Sequence, residues 1–217
     1  MEYILLLTAC INPDGMPFTC LADVGVRKKQ YIEALNFYLK NTTRKIVFVE
    51  NSGTDISSSF KDFQHRIEFL CFDGNLCFDK RKGKGYGEAL ILEYAMAKSE
   101  FITDDVLIFK LTGRLQLINI NRLIHYMDKL SPSKNFVCVV PPQNNSVDSR
   151  CFVCNKYYEH LLFDSLRQNK GKIRIHKIPF FLYWRGISGS LGDRLIEPKC
   201  RYWSDFKALY HCMISKL

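Results

Sequence analysis

A chain of 217 residues, 47% hydrophobic and 24% charged, holds enough apolar material for one packed core and too much for long disorder. Its formal net charge of +9 predicts an anionic partner: a nucleotide, a nucleic acid or a membrane surface. No arginine-rich helix, zinc-finger spacing or RNP-type aromatic strand supports nucleic acid, and nine cysteines without an export signal imply reduced thiols in the cytosol.

The apolar run Tyr3 to Ile11 falls well short of the ~20 residues of a bilayer span and lacks the flank of a leader. It is predicted to be a strand covered on both faces, ending in the turn "TACINPDG". Residues 27 to 42 place Tyr31, Ala34, Leu35, Tyr38 and Leu39 on one helical stripe, with Arg27, Lys28, Lys29 and Lys40 outside it. A second strand, "KIVFVENSG", stops in Glu50, Asn51, Ser52 and Gly53. A third, "RIEFLCFDGN", stops in Asp73, Gly74 and Asn75. The basic loop "KRKGKGYG" follows, and a helix is predicted directly after it, from Gly87 to Ser99. "DVLIFKLTG" is the fourth strand, entered through a turn at Asp104 and Asp105. The helix "NINRLIHYMDKLS" closes at Ser131 and Pro132, and "NFVCVVPP" is the fifth strand. Beyond the polar stretch Gln143 to Asp148, residues 150 to 171 mix a short strand with a helix, and 172 to 189 read as a strand or hairpin.

This alternation predicts an α/β, Rossmann-like single domain over residues 1–217, with a mostly parallel central sheet flanked by helices. About 1–115 would be the nucleotide-binding half, and about 116–217 the acceptor-side half with a C-terminal helix. Sheets of this kind bind ligands beyond the carboxyl ends of their strands. That rule gathers Thr8, Ala9, Cys10, Glu50, Asn51, Ser52, Asp73, Lys110, Thr112, Gly113 and Arg114 into one crevice.

Several features there carry chemistry, each with a plainer alternative. "GKGYGEA" places Lys84 and Gly85 where backbone N–H groups and a helix N-terminus could cradle a phosphate, or it is a basic turn. It does not end as a Walker loop does. In "IFKLTGRL", Arg114 can fork onto phosphate oxygens, Lys110 adds a point charge and Gly113 permits close approach of a backbone. Alternatively Lys110 snorkels and Arg114 pairs with a helix carboxylate. Asp148 after the fifth strand, or Glu88 just past the glycines, could take a proton from an acceptor hydroxyl. Asp148 could equally fix a loop through Arg150, and Glu88 could cap its helix. "CFVC", Cys151 to Cys154, has half of a zinc site's spacing and no second pair, and the five histidines form no metal motif. No metal ligands and no cofactor are therefore assigned. Residues 195 to 217 combine basic and aromatic side chains that could rest on an anionic membrane surface or cover the sheet.

The order of "LTACINP", "VENSG", "KGKGYGEA" and "IFKLTGRL" over about residues 3 to 150 resembles nucleotide-sugar glycosyltransferases of the GT-A fold. In particular it resembles the small bacterial enzymes that build capsule or lipopolysaccharide sugars. The resemblance implies a nucleotide-sugar donor and a glycan or lipid-linked acceptor; with no export signal the protein is expected in the cytoplasm, where its C-terminal segment could touch the inner face of the membrane. It implies donor contacts from Thr8, Ala9, Cys10, Glu50, Asn51, Ser52, Asp73, Lys84, Gly85, Thr112 and Gly113. It also implies that Lys110 and Arg114 take over the metal's catalytic role; Glu88 and Asp148 stay the candidate catalytic bases read from their positions. Most members carry Asp-x-Asp at the end of the fourth strand to hold a divalent metal; Lys110 to Arg114 stand there instead, which implies metal-independent chemistry. A sugar nucleotidyltransferase shares the layout, but its glycine-rich "GxGTR" element is missing after the first strand. A non-catalytic nucleotide- or nucleic-acid-binding module is the remaining alternative.

Overall fold

Successive side chains of a strand point to opposite faces, and the first strand uses both. In β1, Glu2–Ala9, the residues Tyr3, Leu5, Leu7 and Ala9 pack with Tyr31, Leu35 and Tyr38 of helix α1, Val24–Asn41. Ile4 and Leu6 pack on the other face with Ala89, Leu92 and Ala95 of α2, Lys84–Lys98. Helix α3, Ile120–Asp128, adds Ile120, Leu123 and Ile124 to the α1 side. Full burial of each such aliphatic side chain contributes about 1.5–3 kcal/mol, so a strand lacking one polar face is held between two helical layers. The computed structural model describes residues 2–16, 19–76, 84–128, 136–138, 150–155, 176–177 and 184–185. Asp148 and the expected C-terminal helix lie outside them.

The remaining strands are β2, Lys45–Glu50; β3, Ile67–Cys71; β4, Val106–Thr112; β5, Gln116–Leu117; β6, Phe136–Cys138; β7, Cys151–Asn155; β8, His176–Lys177; and β9, Trp184–Arg185. Among the described residues, six of them join β1 in one sheet in the order β3-β2-β1-β4-β7-β6-β8, while β5 and β9 pair separately. The pairs β3–β2, β2–β1, β1–β4 and β6–β8 are parallel; β7 runs antiparallel to both β4 and β6. The protein is thus an α/β fold with a mostly parallel sheet flanked by helices. Among the described residues, no helix is long and apolar enough to cross a membrane.

Two helix starts differ from the sequence reading. Asp23 caps α1 by accepting from the Val26 N–H at 2.7 Å, so the helix begins at Val24 and takes in Arg27 one turn before Tyr31. Arg27 is consequently buried, where the stripe analysis put it outside. α2 begins at Lys84 instead of Gly87, so Lys84 and Gly85 form its first turn and do not make a loop ahead of it. Cys151 and Cys154 are buried thiols on opposite faces of β7, outside any disulfide, in keeping with a structural role.

Candidate functional site

From β1 the chain passes to β2 and β3 on one side and later to β4 on the other, so the strand order reverses between β1 and β4. In open α/β sheets the crevice at such a switch point, beyond the carboxyl ends, is where ligands bind. Here that place is bounded by Thr8 to Asn12 after β1 and Thr112 to Arg114 after β4. Backbone hydrogen bonds knit its rim. Gly113 N–H donates to Thr8 O at 2.9 Å, Asn51 N–H to Ala9 O at 3.1 Å, Gly74 N–H to Asn51 O at 2.9 Å, and Thr112 N–H to Arg150 O at 3.0 Å.

Glu50 organises the β2 side of this rim. Its carboxylate accepts the N–H groups of Ile11, Ser52 and Thr54, each at 2.8 Å, together with the Ser52 hydroxyl. Ser52 Oγ in turn accepts the Asn12 N–H at 2.9 Å. Both carboxylate oxygens are thereby committed to the protein, and Glu50 is buried. This corrects the expectation that Glu50 and Ser52 face a donor: they shape the loops that would. Thr8 and Ala9 are likewise buried inside the sheet, with Thr8 Oγ1 donating to Leu111 O at 3.5 Å. Asn51 keeps its side-chain Oδ1 buried and without a hydrogen-bond partner among the described residues. Partial burial and the adjacent Glu50 carboxylate push the Cys71 thiol, 3.6 Å from Glu50 Oε2, up to about 11.

The cationic part of the site comes from an unexpected residue. Arg27 Nε donates to Cys10 O at 2.9 Å and Ile11 O at 3.1 Å, Nη1 donates to Leu21 O at 3.1 Å, and Nη2 also donates to Cys10 O. Its buried charge is met by carbonyl dipoles of the β1–α1 loop. Tyr31 hydroxyl accepts the Cys10 N–H at 3.0 Å, so Cys10 is tied to α1 through both backbone groups. Burial pushes the Tyr31 hydroxyl up, and the neighbouring guanidinium groups of Arg27 and Arg114 pull it part of the way back. Arg27 thus lies beside this phenol on the α1 side of the β1 carboxyl end, and the charge of Arg114, just after β4, also acts on it. Beside Arg27, the β1–α1 loop borders an open depression of about 280 Å³ lined by Pro13, Gly15, Met16, Thr19, Cys20 and Ala22.

Lys110 is placed differently from Arg114. In β4, Leu107, Phe109 and Leu111 face α1, whereas Val106, Ile108 and Lys110 face α2. The Lys110 ammonium is fully buried, makes an ion pair with Glu88 and lies 5.6 Å from the centre of the Phe152 ring. The expectation of two cations emerging together at the rim is corrected: strand alternation turns Lys110 inward, and Glu88 neutralises it. Gly113 does serve a close backbone approach, but toward Thr8. Asp73 is exposed beside Gly53, and its backbone forms a bridge with Ser52. Where the resemblance would place metal-holding carboxylates, the side chains from Lys110 to Arg114 offer none, a donor set unfit for a hard divalent cation.

Arg27 was legible in principle. It stands four residues before Tyr31 and so extends the apolar stripe by one turn, a position where an arginine has to find acceptors. Glu50 gave a weaker signal, as a lone acid closing an apolar strand.

No protein-family description matches the chain, and no curated protein matches it. Among solved structures it is similar to the glycosyltransferase GlyE of Streptococcus pneumoniae TIGR4, with TM-score 0.46 and 8% identity, covering 82% of this chain and 45% of that one. It is also similar to HddC from Yersinia pseudotuberculosis, with TM-score 0.47 and 10% identity over 89% of this chain and 96% of that one. The inositol-1-phosphate CTP transferase from T. maritima gives TM-score 0.44 and 15% identity over 97% and 95%. The chain thus spans less than half the length of GlyE.

Proposed function

We propose that this chain transfers a sugar from a nucleotide-sugar donor to a hydroxyl of a glycan or lipid-linked acceptor, as enzymes of surface polysaccharide synthesis do. The observation that carries the reading is the pair of guanidinium groups, Arg27 and Arg114, beside the carboxyl end of β1 at the switch point. Their positive field suits the phosphates of a nucleotide, and the depression of about 280 Å³ beside Arg27 is close to the lower limit of ~300 Å³ for small-molecule pockets.

In this reading the nucleoside occupies the depression at the β1–α1 loop, which Arg27 and Glu50 hold in shape. Arg114 meets the phosphate oxygens and stabilises the negative charge that grows on them as the glycosidic bond breaks. The rigid rim limits the reorganisation that the transition state would otherwise require. No step is routed through a metal, and side chains supply the countercharge.

A thermal-shift panel of UDP-, GDP-, CMP- and dTDP-sugars, nucleoside triphosphates and oligonucleotides, with and without EDTA, tests the reading. One nucleotide-sugar is expected to raise the melting temperature regardless of chelator, and product analysis should then find transferred sugar and released nucleotide. Pyrophosphate release from a triphosphate and a sugar phosphate would instead make the chain a nucleotidyltransferase. Salt-sensitive binding of oligonucleotides alone would make it a non-catalytic module.

A further inference from the structure

Resting on the transferase reading, we infer that Tyr38 is a positioning residue for Arg114: its hydroxyl fixes the turn from which Arg114 meets the donor phosphate. Thr112 to Leu115 form a four-residue turn with Gly113 and Arg114 at its centre, closed by the Leu115 N–H donating to Thr112 O at 3.0 Å. The Tyr38 hydroxyl donates to Leu115 O at 2.7 Å and accepts the Leu117 N–H at 3.1 Å. On the other side of Arg114, the Gly113 N–H donates to Thr8 O. The backbone of the arginine is thus held to α1 through the residue after it and to β1 through the residue before it. Tyr38, Leu115 and Leu117 are all buried, so water does not compete for these bonds. Burial also pushes the Tyr38 hydroxyl up, which keeps its proton on the phenol and available to Leu115 O at neutral pH.

A phenylalanine would fill the same space, so packing alone does not call for the hydroxyl. Its meaning lies in a series along one face of α1. Arg27 donates to the carbonyls of Cys10 and Ile11, and Tyr31 accepts the Cys10 N–H. Tyr38 stands seven residues beyond Tyr31 on the same face, roughly 10 Å along the axis at ~1.5 Å per residue. One helix therefore holds both lips of the switch-point crevice, the β1–α1 loop and the turn after β4. Its rigidity sets their separation. Holding the Arg114 backbone before the ligand arrives removes an ordering cost from binding and keeps the guanidinium where charge grows on the departing phosphate. The contribution of Tyr38 to donor binding then passes through Arg114.

The test is a double-mutant cycle on the full chain with Tyr38→Phe, Arg114→Ala and the pair, read by calorimetric titration of the donor that the panel identifies. Tyr38→Phe is expected to weaken donor binding about three- to tenfold alone, and by less than about twofold once Arg114 is alanine. Leu39→Ala, which opens a cavity one residue along the same helix, should lower the melting temperature and leave donor affinity within about twofold of wild type. Amide exchange gives a second measurement, should Tyr38→Phe fail to fold. Saturating donor is expected to slow exchange of the Leu117 amide about fivefold or more in wild type and not in Arg114→Ala. Four results overturn the inference while the transferase reading stands: Tyr38→Phe binding donor as wild type does, an equal loss in both backgrounds, an equal loss in Leu39→Ala, or a Leu117 amide indifferent to donor. A wild-type chain that binds no nucleotide-sugar overturns the reading itself.

Discussion

The N–H of Gly113 donates to the carbonyl of Thr8 at 2.9 Å, and a Cβ placed on Gly113 would lie 2.9 Å from that same oxygen. The glycine is required because the chain leaving β4 crosses directly over the end of β1, with Leu7 Cβ a further 3.3 Å neighbour. Gly113→Ala should therefore destabilise the fold by about 1–3 kcal/mol. The check is a urea titration, in which the midpoint falls at constant slope; an unmoved midpoint would show that the two strand ends part without cost.

Glu50 joins the loops after β1 and β2 through one buried carboxylate. Removing it leaves the N–H groups of Ile11, Ser52 and Thr54 without their acceptor, and Glu50→Ala should cost roughly 3–5 kcal/mol. Glu50→Gln should not restore stability fully, since each oxygen accepts from protein donors and an NH2 would face two of them. Chemical denaturation of both variants measures this, and a Glu50→Gln protein as stable as wild type contradicts it.

The two arginines are expected to separate fold from binding. Arg114→Ala, at a half-buried side chain, should destabilise the fold less than Arg27→Leu while weakening donor binding by about tenfold or more, the loss of one charge-assisted contact. Arg27→Leu should lower both, by about 2–3 kcal/mol in stability, because the carbonyls of Cys10, Ile11 and Leu21 lose a buried donor. Arg27→Lys should rescue little, as an ammonium cannot span three carbonyls in a fork. Calorimetric titration beside thermal melts checks the split; equal effects of Arg114→Ala and Arg27→Leu on stability would refute it.

With its thiol pushed up to about 11, Cys71 holds little thiolate at neutral pH. Iodoacetamide at pH 8 should therefore label exposed Cys20 well before Cys71, with Cys71 labelling rising toward pH 11. Because a neighbouring negative charge raises a thiol, Glu50→Gln should lower its value and speed its labelling. Peptide mapping reads both outcomes, and Cys71 reacting as fast as Cys20 in the wild-type chain would count against the assignment.

The sequence by itself determined the order of elements and the faces they bury. The largely apolar run at Tyr3 to Ile11 reads as a two-sided strand, and the stripe through Tyr31, Leu35 and Tyr38 as an amphipathic helix, as the structure has them. Even the inward turn of Lys110 was present in the alternation Val106, Ile108, Lys110. Tertiary structure alone decided which partners these residues meet. Lys110 and Glu88 are 22 residues apart, and Glu50 and Ile11 are 39 apart. The antiparallel insertion of β7 beside β4 also lies beyond local pattern. Periodicity records whether a side chain leaves water, because burial acts on each residue separately. A buried charge is settled pairwise, by whichever group the packed elements bring within hydrogen-bond reach.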